Sequence, residues 1–112
     1  MPLLPNPHLA VVDLIKLSDY CLNPNHQRGQ HKARIFASVL GVISDQAELL
    51  QQALLAAARN RPAHLTGADE YGERYRLDFI LTGPNGRQAT IRSTWIVRRG
   101  ETFARLVTCY VL

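Results

Sequence analysis

The chain has 112 residues, 46% of them hydrophobic, with 13 Lys and Arg against 9 Asp and Glu and a formal net charge of +4. That length fits one domain over residues 1–112 with a single modest core, and no apolar run approaches the roughly 20 residues that cross a bilayer. The proline-rich start lacks the basic-then-apolar order of a secretory signal, so the expectation is a cytoplasmic protein with no membrane partner. Its basic balance leans toward an anionic partner.

In chain order, residues 1–7 contain three prolines and predict an extended arm. Residues 8–61 form the helical half. After a short extended piece over 9–12, Asp13 is a candidate N-cap for a helix through Leu22, with Leu14, Leu17 and Cys21 on its apolar stripe. Asn23-Pro24 stops it, and a polar segment over 25–32 leads into a second helix over 30–40. Ile35, Phe36, Val39 and Leu40 make that helix's buried stripe. Lys32 falls on the same stripe in the first turn, where it either snorkels to solvent or projects along the sheet edge. Gly41 ends this helix. Asp45 and Glu48 have capping-box spacing for an amphipathic third helix over 48–58, which Arg61-Pro62 closes.

Residues 62–112 predict the sheet. Three strands over 71–81, 88–98 and 105–112 are separated by two turn-rich breaks, Asn85-Gly86 among them, and 63–66 is a candidate edge strand. The expected fold class is α+β: two or three N-terminal helices packed on one face of a three- to four-stranded antiparallel meander.

Alternation along the strands puts Tyr75, Leu77, Phe79, Leu81, Ile91, Ser93, Trp95, Val97, Val107, Cys109 and Val111 on the buried face. In register, the polar face brings together Arg74, Arg76, Arg92, Thr94, Thr108 and Tyr110. The third strand is apolar on both sides, so its facing can flip. Ile96, Leu106 and Leu112 on the nominally polar face offer a self-association surface.

Cys21 and Cys109 read as small buried hydrophobes at opposite ends of the fold. The four histidines form no ligand pattern, so neither a metal nor a cofactor is expected. What remains is a metal-free set of His, Lys, Arg, Thr and Tyr. RNA can be cleaved with such groups because its own 2′-hydroxyl is the nucleophile, given a proton acceptor, cations for the phosphorane and a proton donor to the leaving oxygen. His31 or His26 can shuttle protons, Lys32 and Arg92 can hold phosphate, and Thr94, Thr108 and Tyr110 can orient it. Arg34, Arg74 and Arg76 are candidate substrate contacts. Against this, Arg92 can simply pair with Asp78 or Glu73, and His26 and His31 can be ordinary loop residues.

The runs Tyr20-Cys21-Leu22-Asn23-Pro24-Asn25-His26, Lys32-Ala33-Arg34-Ile35-Phe36, Gly83-Pro84-Asn85-Gly86-Arg87, Arg92-Ser93-Thr94-Trp95-Ile96 and Arg105-Leu106-Val107-Thr108-Cys109-Tyr110 resemble an uncharacterised bacterial domain family with toxin-like members. More distantly, helices followed by a sheet ending in Thr-x-Tyr resemble the barnase, EndoU, colicin and RelE-like metal-independent ribonucleases. The resemblance implies RNA cleavage through a 2′,3′-cyclic phosphate, with Lys32 on the helix and Arg92, Thr94, Thr108 and Tyr110 on the sheet. It also implies a small acidic antitoxin or immunity-type partner. Val111 stands where a proline often follows the tyrosine. The alternative expectation is a non-catalytic module that holds RNA or an acidic protein on the same face.

Overall fold

The computed structural model describes residues 2–112. Helix α1 starts at Leu14–Lys16 and widens into a π-helical turn over Leu17–Cys21. Its N-terminus is capped by Asp13 Oδ1, which accepts from the Ile15 and Lys16 amides at 2.9 and 3.4 Å. Helix α2 runs as Gln30–Ile35 and continues into a π-helical Phe36–Leu40, ending on Gly41 with φ 72°. Only glycine takes that left-handed angle at little cost. Helix α3 is Ala47–Asn60.

The expected capping box at Asp45 and Glu48 does not form. Ser44–Gln46 make a single 3₁₀ turn, and Gln46 Oε1 instead accepts from the Ile43 amide at 3.2 Å. With α3 starting at Ala47, Gln46 holds the N-cap position and Asp45 falls one residue outside it.

Four strands follow: β1 His64–Asp69, β2 Gly72–Thr82, β3 Gln88–Arg98 and β4 Arg105–Val111. They pair antiparallel in the order β1-β2-β3-β4, the expected meander, with the helices mostly N-terminal to it. The helices cover one face. Trp95, Phe36, Leu50, Leu54, Leu77 and Ile91 are fully buried between the two layers. Within that core Ser93 Oγ donates to the Leu77 carbonyl at 2.6 Å and accepts from Trp95 Nε1 at 2.9 Å, so the indole N–H and the hydroxyl satisfy each other away from water.

Over residues 2–6 the N-terminal arm has no helix or strand, and it is docked on the fold: Leu4 is in the core, Pro7–Leu9 form a 3₁₀ turn, and the Pro2 carbonyl accepts from Ala63 N at 2.9 Å. Two expectations need correcting. A bulge where Thr94 pairs with Thr108 but Trp95 with Leu106 turns Leu106 onto the core face. Ile96, between Arg74 and Arg105 across the strands, is itself buried, which leaves only Leu112 exposed of the three residues expected to mediate self-association. Finally, Cys21 and Cys109 are neighbours, both buried, because α1 lies along β4.

The edge of β4 is covered in several ways. Val11 bridges Arg105 in parallel, and Lys16 Nζ donates to the Val107 carbonyl at 3.1 Å. Such capping withdraws an open row of backbone groups from wrong pairing. No helix among the described residues is long and apolar enough to cross a membrane.

Candidate functional site

The face of the sheet away from the helices is organised in rows, because paired residues on adjacent strands project to the same side. One row reads Asp78, Arg92, Tyr110 and the next reads His64, Arg76, Thr94, Thr108. Lys32 enters from α2 at the β4 end of the first row, its Nζ 4.4 Å from the centre of the Tyr110 ring. The stripe that placed Lys32 in the first turn of α2 therefore carries it along the sheet edge, half-buried. Lys32, Arg92, Thr94, Thr108 and Tyr110, together with Arg74 and Arg76, share this side of the molecule.

Charge on the face is partly compensated. Arg92 Nε and Nη2 donate to the two Asp78 carboxylate oxygens at 3.1 and 3.0 Å, a two-point pair. That pairing holds the Asp78 carboxyl below its ordinary range, and the Asp78 hydrogen bonds, with Tyr110 nearby, push the Arg92 guanidinium up. Arg74 pairs with Asp69 at 3.0 Å and Arg105 with Glu101 at 2.8 Å. The structural reading of Arg92 is thus realised, and its guanidinium reaches a phosphate only beside Asp78 or by exchanging partners. Among the described residues, Arg76 and Lys32 have no carboxylate partner, and Arg76 Nε is buried without any acceptor.

The other expected residues lie elsewhere in role or place. His26 is half-buried, its ring meets Tyr20 edge-on with centroids 4.5 Å apart, and its Nδ1 accepts from the Arg28 and Gly29 amides at 3.1 Å. It is a loop-building residue that ties α1 to the entry of α2. His31 is exposed at the start of α2 and makes no side-chain hydrogen bond among the described residues. Arg34, two residues beyond Lys32 and so on another face of α2, lines an apolar depression of about 160 Å³ with Leu22, Ala33, Ile43 and Asp45. Among the described residues, neither His26 nor His31 makes a side-chain hydrogen bond to the sheet.

A more open groove of about 430 Å³ runs between α1 and β4, walled by Ile15, Lys16, Tyr20, Val107 and Thr108. Thr108 therefore belongs both to the polar face and to this groove. Beneath it, Cys21 Sγ lies 4.0 Å from Thr108 Oγ1. A hydrogen bond from Cys109 draws the Cys21 thiol down to about 7, and that same hydrogen bond, together with burial, pushes Cys109 up. Among the described residues no three His, Cys, Asp or Glu side chains converge in a way that could hold a metal ion.

The fold matches one chain of a solved structure described as a contact-dependent growth inhibition toxin–immunity protein complex from Klebsiella pneumoniae 342, with TM-score 0.71 and 19% identity over 91% of this chain and 99% of that one. At that identity the likeness establishes the fold. A search of curated proteins finds no match. A family model described as Domain of unknown function (DUF6883) matches residues 3–112. Since that match takes in the helices, the sheet and both rows of the polar face, the chain belongs to the DUF6883 family.

Proposed function

We propose that this protein is a toxin-type, metal-independent ribonuclease that cleaves RNA by attack of its own 2′-hydroxyl, and that the open sheet face is the site. The observation that carries the reading is the placing of Lys32 over Tyr110 at the β4 end of the Asp78–Arg92–Tyr110 row, beside the row that carries Arg76, Thr94 and Thr108. Arginine and lysine without carboxylate partners suit a phosphate that gains negative charge on the way to a phosphorane. Lys32 supplies a point charge and a proton for the leaving 5′-oxygen. Thr94, Thr108 and Tyr110 offer hydroxyls that orient the non-bridging oxygens. A fold shared with a chain from a toxin–immunity complex also supports a toxin-related or partner-binding role, with a protein partner.

Induction in a bacterial host tests it. Wild type should arrest growth and leave new RNA ends, and Lys32→Ala should do neither. Normal growth with intact RNA in both would favour the second reading, a binding module. That alternative draws its support from the Asp78–Arg92 pair, which occupies an arginine a nuclease would use.

A further inference from the structure

General-base chemistry needs a proton acceptor on the polar face; His26 Nδ1 accepts two loop amides, and His31 is exposed at the start of α2. The pairing of β1 supplies one. His64 is the cross-strand partner of Arg76, which pairs with Thr94, which pairs with Thr108. All four side chains must project to the same face, so His64 is the histidine that the strand register sets on the polar side. It is exposed, at the first position of an edge strand whose residues are all exposed. The charged groups facing it are Arg76 directly opposite and Asp78 two residues on, close enough to feel its charge, with Arg92 behind Asp78. Arg76 in turn is the sheet-face arginine with no carboxylate partner among the described residues, and its Nε is buried and unpartnered. With no carboxylate competing for it, the Arg76 guanidinium suits an oxyanion on the open face.

Resting on the ribonuclease reading, we infer that His64 and Arg76 complete the site, Arg76 as the ligand of the scissile phosphate and His64 as the general base. Neutral His64 takes the 2′-hydroxyl proton as the 2′-oxygen bonds to phosphorus. The bond from phosphorus to the 5′-oxygen breaks, and that oxygen takes a proton from Lys32. The products are a 2′,3′-cyclic phosphate and a 5′-hydroxyl, and both side chains return to their starting states by exchange with water. His64 stands on β1 and Lys32 past β4, in adjacent rows on opposite edges of the face; β1 and β4 are about 14 Å apart at strand spacing, so both side chains must reach inward over β2 and β3 to serve one phosphate.

The test measures cleavage of total bacterial RNA by purified wild type, His64→Ala, His64→Gln, Arg76→Ala and Arg76→Lys, with Arg59→Ala on the far helix as a control. Thermal melts verify folding. His64→Ala should lose about 10²- to 10³-fold in rate, a magnitude typical of general-base removal. It should also lose the acid limb of the pH–rate profile and regain at least about tenfold with added imidazole, since an external base can replace the missing one. Arg76→Ala should lose about 10²-fold and Arg76→Lys less, because lysine keeps the charge but not the fork. Cleavage by wild type with equal rates and an unchanged pH profile in both His64 variants would overturn the assignment while leaving the ribonuclease reading in place. RNA left intact by wild type itself would overturn both.

Discussion

Lys32 Nζ and the Tyr110 ring are in cation–π contact at 4.4 Å, so the start of α2 and the end of β4 meet at one corner of the polar face. The contact contributes about 0.5–1 kcal/mol at a partly exposed site, too little to account for a lysine held half-buried at a helix N-terminus, where its charge is disfavoured. Lys32→Ala should therefore cost little stability and at least about 10²-fold in RNA cleavage, the scale of losing a proton donor and a phosphorane contact. Parallel melts and cleavage assays separate the two. Tyr110→Phe keeps the ring under Lys32 and should fold as wild type, with a smaller loss of rate.

The Asp78–Arg92 pair predicts opposite behaviour for its two members. Removing either should lower stability only slightly, since the pair is partly solvated. Asp78→Ala frees an arginine on the polar face and should tighten RNA binding at low salt, whereas Arg92→Ala should weaken it. A double-mutant cycle on melting, together with binding of a labelled RNA at two salt concentrations, reads both effects.

Acid sensitivity follows from three carboxylates. Asp78, Asp69 and Glu101 are each held below their ordinary range, first of all by a hydrogen-bonded arginine: Arg92, Arg74 and Arg105 respectively. A depressed folded-state value means that the unfolded chain binds protons first as pH falls. The stabilisation is then fully present above the ordinary carboxylate range, about pH 4–5, and is lost as pH drops through the folded values. Melting temperature should fall below about pH 4, and the difference between wild type and Asp78→Asn should shrink there. A difference that stays constant from pH 7 to pH 3 would show that the pair does not stabilise the fold.

Ser93 predicts a purely structural loss. It is fully buried and is the acceptor for Trp95 Nε1. Ser93→Ala leaves the indole N–H without a partner in the core and should cost about 1–3 kcal/mol. Denaturant unfolding monitored by the tryptophan measures it. RNA cleavage at temperatures well below the midpoint should be unchanged, because the hydroxyl faces away from the polar side.

Local chemistry carries into the structure wherever it acted alone. Asp13 caps α1, the periodic stripe over 30–40 becomes α2, Gly41 ends it, and the alternation of β2 and β3 sorts Leu77 and Trp95 from Arg76 and Thr94. The same stripe that gave α2 singled out Lys32. Pairings between distant segments were not legible in this way. Nothing in the alternation of β4 reveals the extra residue that turns Leu106 inward. Two cysteines 88 positions apart meet because α1 lies along β4, and Leu4 is buried because the arm folds back to Ala63. His26 is half-hidden by Tyr20, and its loop role depends on amides that come to it only when the loop closes. His64 is not legible as a site residue, because alternation over the short candidate edge strand 63–66 does not fix its face. Its face is defined only by the register with Arg76.

The most direct measurement is incubation of the purified chain with total bacterial RNA in the presence of EDTA, followed by chemical analysis of the new ends. The ribonuclease account predicts discrete cuts bearing 2′,3′-cyclic phosphate and 5′-hydroxyl ends, undiminished by the chelator and absent with Lys32→Ala. Intact RNA with wild type, or cleavage that persists in Lys32→Ala, would contradict it.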